Sequence, residues 1–99
     1  MPTIERVNEL LNREFRPVFL EVKDDSHLHA NHLEAASAGG THFSVLIVSD
    51  HFRHTSFLER HRQIYACLQS ELESEIHALA ICAYTAQEYI ERNLKEGQE

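Results

Sequence analysis

The spacing of apolar residues changes abruptly at Pro17, and the change recurs along the chain. From Thr3 to Phe15 the apolar positions are Ile4, Val7, Leu10, Leu11 and Phe15, a single stripe on a helix that Pro2 and Thr3 can start. Beyond Pro17, Val18, Leu20 and Val22 alternate with Phe19, Glu21 and Lys23, the period of a half-buried strand. Phe43, Val45 and Ile47 alternate likewise with Ser44, Leu46 and Val48, and Asp50 closes this second strand. Between them, Asp24 to Thr41 has neither period and contains Asn31, Ser37, Gly39 and Gly40, so it reads as a loop. Two strands joined in this way pair antiparallel. The loop is long for a hairpin, and such loops in compact domains are usually functional or disordered.

Ser56 and Glu59 have the spacing of a capping box, in which each side chain satisfies an orphaned N–H at a helix start. The helix that follows is expected to bury Phe57, His61, Ile64, Tyr65, Leu68 and Leu72 and to leave Arg60, Arg62, Gln63 and Glu71 outside. It fades in the acidic stretch Glu71 to Glu75, and Ile76 to Ala83 forms a third strand. Thr85 and Glu88 repeat the capping box, with Tyr84 and Tyr89 placed as a hydrophobic staple, so a last helix starts at Thr85 and frays near Gly97. Helix, strand, strand, helix, strand, helix implies an α+β sandwich, a three-stranded sheet covered on one face by helices. The preference for right-handed crossovers lets the third strand run parallel to the first or the second.

Ninety-nine residues, 42% hydrophobic and 25% charged, fit one globular domain spanning residues 1–99. No apolar run reaches half a bilayer span, and the N-terminus lacks the order of a signal peptide, so a soluble cytoplasmic protein with no membrane partner is expected. Cys67 and Cys82, without a CxxC or a paired framework, suit a reducing compartment. The net charge is −7 and the only lysines are Lys23 and Lys95. An acidic chain must gather its cations on one face to bind phosphates, and the candidate region runs from Arg53 to Arg62.

Several groups could carry chemistry. His77 interrupts an apolar strand and shares a side with Leu79 and Ile81; periodicity alone favours a half-buried histidine bonded to a neighbour. His27, His29 and His32 cluster in the loop, and the two-residue step from His27 to His29 suits a metal chelate as well as it suits a solvated loop. Arg53, Arg60, His61 and Arg62 form a basic surface for nucleic acid or a protein partner, or an ion-paired helix face with Glu59 and Glu71. No GxxG loop is present, which argues against single-stranded RNA. No nucleophile elbow or Cys–His arrangement appears, the run Glu71, Glu73, Glu75 reads as solvated surface, and Cys67 and Cys82 read as structural. A non-enzymatic protein is expected.

The segments FLEVKDDSHLH, HFSVLIVSDHF and FLERHRQIYACLQSELESEIHALAI together resemble the BolA family over nearly the whole chain. The resemblance implies a variant of the type II KH fold with a short extra helical turn before the long helix, here around His51 to His54, giving the order α-β-β-α-α-β-α. It implies that His77, in HALAI, is a cluster ligand in a complex with a monothiol glutaredoxin. Matching DDSHLH to the family's DESxxH places the second ligand at His29. The loop is longer than the family's and lacks its Pro and Gly-Ser, which keeps His32 and His27 as alternates. The implied cofactor is a two-iron two-sulfur cluster held only in complex with a glutaredoxin, with none in the isolated chain. Members are also described as DNA-binding transcriptional regulators of stress response and cell morphology. That implies moderate, salt-sensitive binding of double-stranded DNA through Arg53, Arg60 and Arg62. A weak homodimer is compatible with the sequence.

Overall fold

The computed structural model describes residues 4–25, 42–74, 76 and 78–97. In chain order the elements are helix α1 (Ile4–Phe15), strands β1 (Phe19–Asp24) and β2 (His42–Val48), a 3-10 turn (Asp50–Phe52), helices α2 (Phe57–Cys67) and α3 (Gln69–Ser74), strand β3 (Ala78–Tyr84) and helix α4 (Ala86–Gly97). The sheet order is β1-β2-β3. β1 pairs antiparallel with β2, and β3 runs parallel to β2 rather than to β1, with His42 in register with Ala78 and Val45 with Ile81. The α+β class and three-stranded sheet expected from the sequence are those observed.

Val7, Leu11 and Phe15 are the buried stripe of α1, four residues apart along one face. The helix ends at Arg16, whose φ of 45° lies in the left-handed region. Pro17 then prevents continuation. Val18 does not belong to the strand; it is 69% exposed, and the apolar residues of β1 that face the core are Leu20 and Val22. With Phe43, Val45, Ile47, Leu79, Ile81 and Ala83 they line the face on which α1 and α2 pack. Each large side chain buried there contributes about 1.5–3 kcal/mol.

The other face is not bare. Phe19, Val48 and Tyr84 lie in one row across the sheet, opposite the core. Tyr89 of α4 stacks on Phe19 at 5.8 Å between ring centroids and meets Tyr84 at 6.1 Å, the contact expected of the staple. Helices therefore pack on one face and on one end of the other, where a single covered face was expected.

Two further differences lie between β2 and β3. The extra turn implied by the family resemblance exists, one residue earlier than expected. It is held by buried Ser49, whose hydroxyl donates to the Phe15 carbonyl at 2.6 Å and accepts from the His51 N–H at 3.0 Å. The long helix ends at Ser74, inside the acidic stretch Glu71 to Glu75 where it was expected to fade, but it is not continuous up to that point. It breaks at Leu68 (φ −102°, ψ 14°) and resumes as α3, while Leu68 itself stays buried. Ile76 is buried but precedes β3.

Candidate functional site

The register of the sheet gathers three points of the chain at one end. β1 ends at Asp24, the chain re-enters the sheet at His42, and His42 is in register with Ala78, the first residue of β3. The mouth of the intervening segment is tied by the Asp25 N–H, which donates to the His42 carbonyl at 2.7 Å, and by the Ser44 hydroxyl, which donates to the Asp25 carboxylate. His77, His29, His32 and His27 lie outside the described residues, but the positions from which they depart are described. Position 77 is bonded to Ala78, and His29 follows Asp25 by four positions, a reach of up to about 14 Å. Strands β1 and β3 flank β2 at about 4.8 Å each, so both departure points stand within about 10 Å of one another. His42, which pattern reading passed over because it falls where loop becomes strand, occupies the same end and is partly buried. Among the described residues, no three His, Cys, Asp or Glu are grouped to hold a metal ion.

The basic cluster divides. Arg60, expected on the outer face of its helix, is 4% exposed and sits under the C-terminal end of β3. Its Nε donates to the Thr55 carbonyl at 2.9 Å and its Nη1 to the Ala83 carbonyl at 3.0 Å. Nη1 and Nη2 grip the two carboxylate oxygens of Glu88 at 2.6 and 3.2 Å. Phe57 lies across the guanidinium at 4.7 Å and Phe52 at 5.8 Å. A planar fork with two carbonyls, a bidentate carboxylate and aromatic faces around it can be desolvated, which is why Arg60 turns inward. The Arg60 hydrogen bonds hold the Glu88 carboxyl below its ordinary range, outweighing the partial burial that acts the other way.

The inward turn of Arg60 rotates the buried stripe of α2. Arg60, Ile64 and Leu68 are inside, whereas Phe57 and Tyr65, expected in the core, are 54% and 42% exposed. His61 is half-buried, with Nδ1 2.9 Å from the Phe57 carbonyl. Arg53 and Arg62 face solvent, and Arg62 approaches Glu59 only at 3.8 Å. Leu58, at 61% exposure, joins Phe57 and Tyr65 in making this helix unusually apolar outside. Tyr65 also reaches across β3, its hydroxyl 3.4 Å from the Leu79 carbonyl. Ile90 and Leu94, one turn apart on α4, are exposed as well.

A family model described as BolA-like protein matches residues 11–88. The chain belongs to the BolA family. It is 45% identical over 85 residues to the DNA-binding transcriptional regulator BolA of Escherichia coli, covering 86% of this chain and 77% of that protein. It is 48% identical over 87 residues to SufE-like protein 1, chloroplastic/mitochondrial, of Arabidopsis thaliana, covering 84% of this chain but 24% of that longer protein. Among solved structures, the BolA domain of SufE1 from Arabidopsis thaliana superposes with a TM-score of 0.77 at 49% identity, over 85% of this chain and 92% of that one. BolA1 from the same plant gives 0.79 at 37% identity, over 89% and 96%.

In this BolA-family chain a cavity of about 440 Å³ lies elsewhere, between α1 and α2, with Arg13, Glu14, His51, Gln63 and Cys67 on its walls. Burial, then the charges of Glu14 and Glu71, push the Cys67 thiol up, and its sulfur leans on the Leu10 carbonyl at 3.5 Å. A thiol rather than a thiolate there is a packing group, not a nucleophile. Cys82 is exposed on the open face of the sheet. No described helix is long and apolar enough to cross a membrane.

Proposed function

We propose that this BolA-family protein is non-enzymatic and acts in the cytoplasm as the partner of a monothiol glutaredoxin, sharing a two-iron two-sulfur cluster in cluster assembly or iron sensing. The observation that carries the reading is the register of His42 with Ala78. It sets the mouth of the histidine-bearing segment beside the residue that follows His77. From these points His77 and His29, with His32 or His27 as alternates, supply two imidazoles, and the glutaredoxin and its glutathione supply two thiolates. Imidazole in place of thiolate on one iron raises the cluster's potential. The exposed Phe57, Leu58 and Tyr65, with Arg62 beside them, suit a protein partner, since aromatic residues and arginine are favoured at interface cores. Mixing the protein with a cluster-loaded monothiol glutaredoxin should shift the visible spectrum and slow cluster loss. His77→Ala should abolish both effects, and separate His29→Ala, His32→Ala and His27→Ala variants should identify the second ligand. A His77→Ala protein with the wild-type spectrum and cluster lifetime would sink the proposal.

A second reading, DNA binding in transcriptional regulation, is supported by the name of the Escherichia coli relative. Burial of Arg60 leaves Arg53 and Arg62 as its phosphate contacts. With so few cations, affinity should fall about two powers of ten per tenfold rise in salt. Retention of promoter duplex at low salt, weakened by Arg53→Ala and Arg62→Ala, is the expected gel-shift result; no retention removes this reading.

A further inference from the structure

The two outer strands of the sheet are treated differently. β3 has Tyr65 lying over it, with its hydroxyl at the Leu79 carbonyl. β1 is the opposite edge of the three-stranded sheet, and among the described residues nothing hydrogen-bonds to Leu20 or Val22 on the side away from β2. Because the Asp25 N–H bonds directly across to His42, alternation along an antiparallel ladder puts Lys23 and Glu21 in the bonded pairs with β2. The N–H and C=O groups of Leu20 and Val22 then point outward from the edge.

Natural edges are usually blunted by charged side chains, especially lysine, by proline or by a bulge. This edge carries a lysine, but with an acid two positions away on the same face, so its charges need not repel a second copy of the same edge. Glu21 and Lys23 are 47% and 62% exposed and 3.5 Å from each other. We infer that β1 is a self-complementary edge through which two copies of this chain pair antiparallel, about a two-fold axis through Val22, into one continuous six-stranded sheet. The axis follows from charge. Centred on Val22, each Glu21 opposes Lys23 of the other copy, and both pairs fall at the closer, non-hydrogen-bonded positions of the new ladder. Centred on Glu21, the two Glu21 carboxylates face each other; centred on Lys23, the two ammonium groups do, and Glu21 opposes Asp25. Only the Val22 register satisfies both charges while using the outward backbone groups of Val22 itself.

The inference is independent of the cluster reading, since it uses neither a histidine nor a metal. Sedimentation equilibrium up to roughly 1 mM protein, where a pair with a dissociation constant of that order is half-formed, should show a dimer that weakens as salt rises. Glu21→Lys and Lys23→Glu are changes at exposed positions, and circular dichroism should show both variants folded. Each alone should raise the dissociation constant at least about tenfold, because both cross-strand pairs turn repulsive. Mixed one to one, the two variants should associate with each other, and the double swap Glu21→Lys/Lys23→Glu should restore self-association. A wild-type monomer throughout the range, single variants that dimerise as wild type does, or a mixture that stays monomeric would each overturn the inference.

Discussion

The two capping boxes of the molecule share a sequence pattern and close differently. At the start of α2 the Glu59 N–H donates to the Ser56 hydroxyl at 3.1 Å, while the Glu59 carboxylate, half exposed, turns to Arg62 at 3.8 Å. At the start of α4 both halves are made: the Glu88 N–H donates to Thr85 Oγ1 at 3.2 Å, and the Thr85 N–H donates to Glu88 Oε1 at 2.8 Å. What differs is the third partner. Glu88 is gripped by the buried fork of Arg60, so its rotamer is fixed before it caps anything. Glu59 has only a loose exposed neighbour, and fixing a glutamate side chain costs up to about 2 kcal/mol of entropy. A local pattern thus decides where a helix starts, and a distant cation decides whether its acid is anchored.

Removing that cation should have the largest effect. Arg60→Met takes the arginine donors from the Thr55 and Ala83 carbonyls and leaves the Glu88 carboxylate, which is partly open to water, with the Thr85 N–H, at a cost of about 2–4 kcal/mol, measurable by urea denaturation. Arg60→Lys should recover little, because one ammonium cannot replace the bidentate fork. Arg62→Met, on the exposed side of the same helix, should change stability by no more than about 0.5 kcal/mol. Equal losses for the two arginines would mean that the grip on Glu88 contributes nothing.

Much of this architecture is legible in the sequence. Both helix starts, the Tyr84–Tyr89 staple and the alternation of Phe43, Val45 and Ile47 depend on residues a few positions apart, and each stands as expected. Arg60 is misread because an arginine in a helix reads as polar. Its burial depends on Ala83 and Glu88, far away in the sequence, and the outward displacement of Phe57 and Tyr65 follows from it. The break at Leu68 is hidden because an apolar residue continues the helical stripe through it. The turn Asp50–Phe52 is too short to show any period, and only the family resemblance anticipated it. As for the candidate site, the role proposed for His77 and His29 also rests on that resemblance. The closeness of their departure points depends on β3 choosing β2 as its parallel neighbour, a choice the sequence left open.

Charge at the two acids is the next contrast. Glu88→Gln keeps hydrogen-bonding atoms but leaves the buried guanidinium without its counter-charge, and should cost about 1–2 kcal/mol, whereas Glu59→Gln should cost less than about 0.5 kcal/mol. The Glu88 carboxyl, held low chiefly by Arg60, has a folded pKa below its unfolded value of about 4.3. Its contribution is therefore complete above the unfolded value and is lost as pH falls through the depressed folded value. The gap in stability between wild type and Glu88→Gln should be constant from neutral pH to about pH 5 and narrow below about pH 4. A gap that widened in acid would reverse the sign and refute the pairing.

The smallest contrast is between the hydroxyls. Ser56→Ala and Thr85→Ala each remove one cap acceptor, a loss of about 0.5–2 kcal/mol. Ser56 is exposed, so water can take the place of its oxygen at the Glu59 N–H, and the loss should fall at the lower end of that range. Thr85 is buried, and its hydroxyl serves the N–H of the residue whose carboxylate returns to Thr85 and holds Arg60. Its loss should lie near the middle of that range, about 1 kcal/mol, and should be coupled to Glu88. In a double-mutant cycle, Thr85→Ala with Glu88→Gln should depart from additivity by about 0.5 kcal/mol or more, while Ser56→Ala with Glu59→Gln should add. Additivity at both boxes would mean that the second closes no more tightly than the first, and that the Arg60 fork, rather than the box, sets the position of α4.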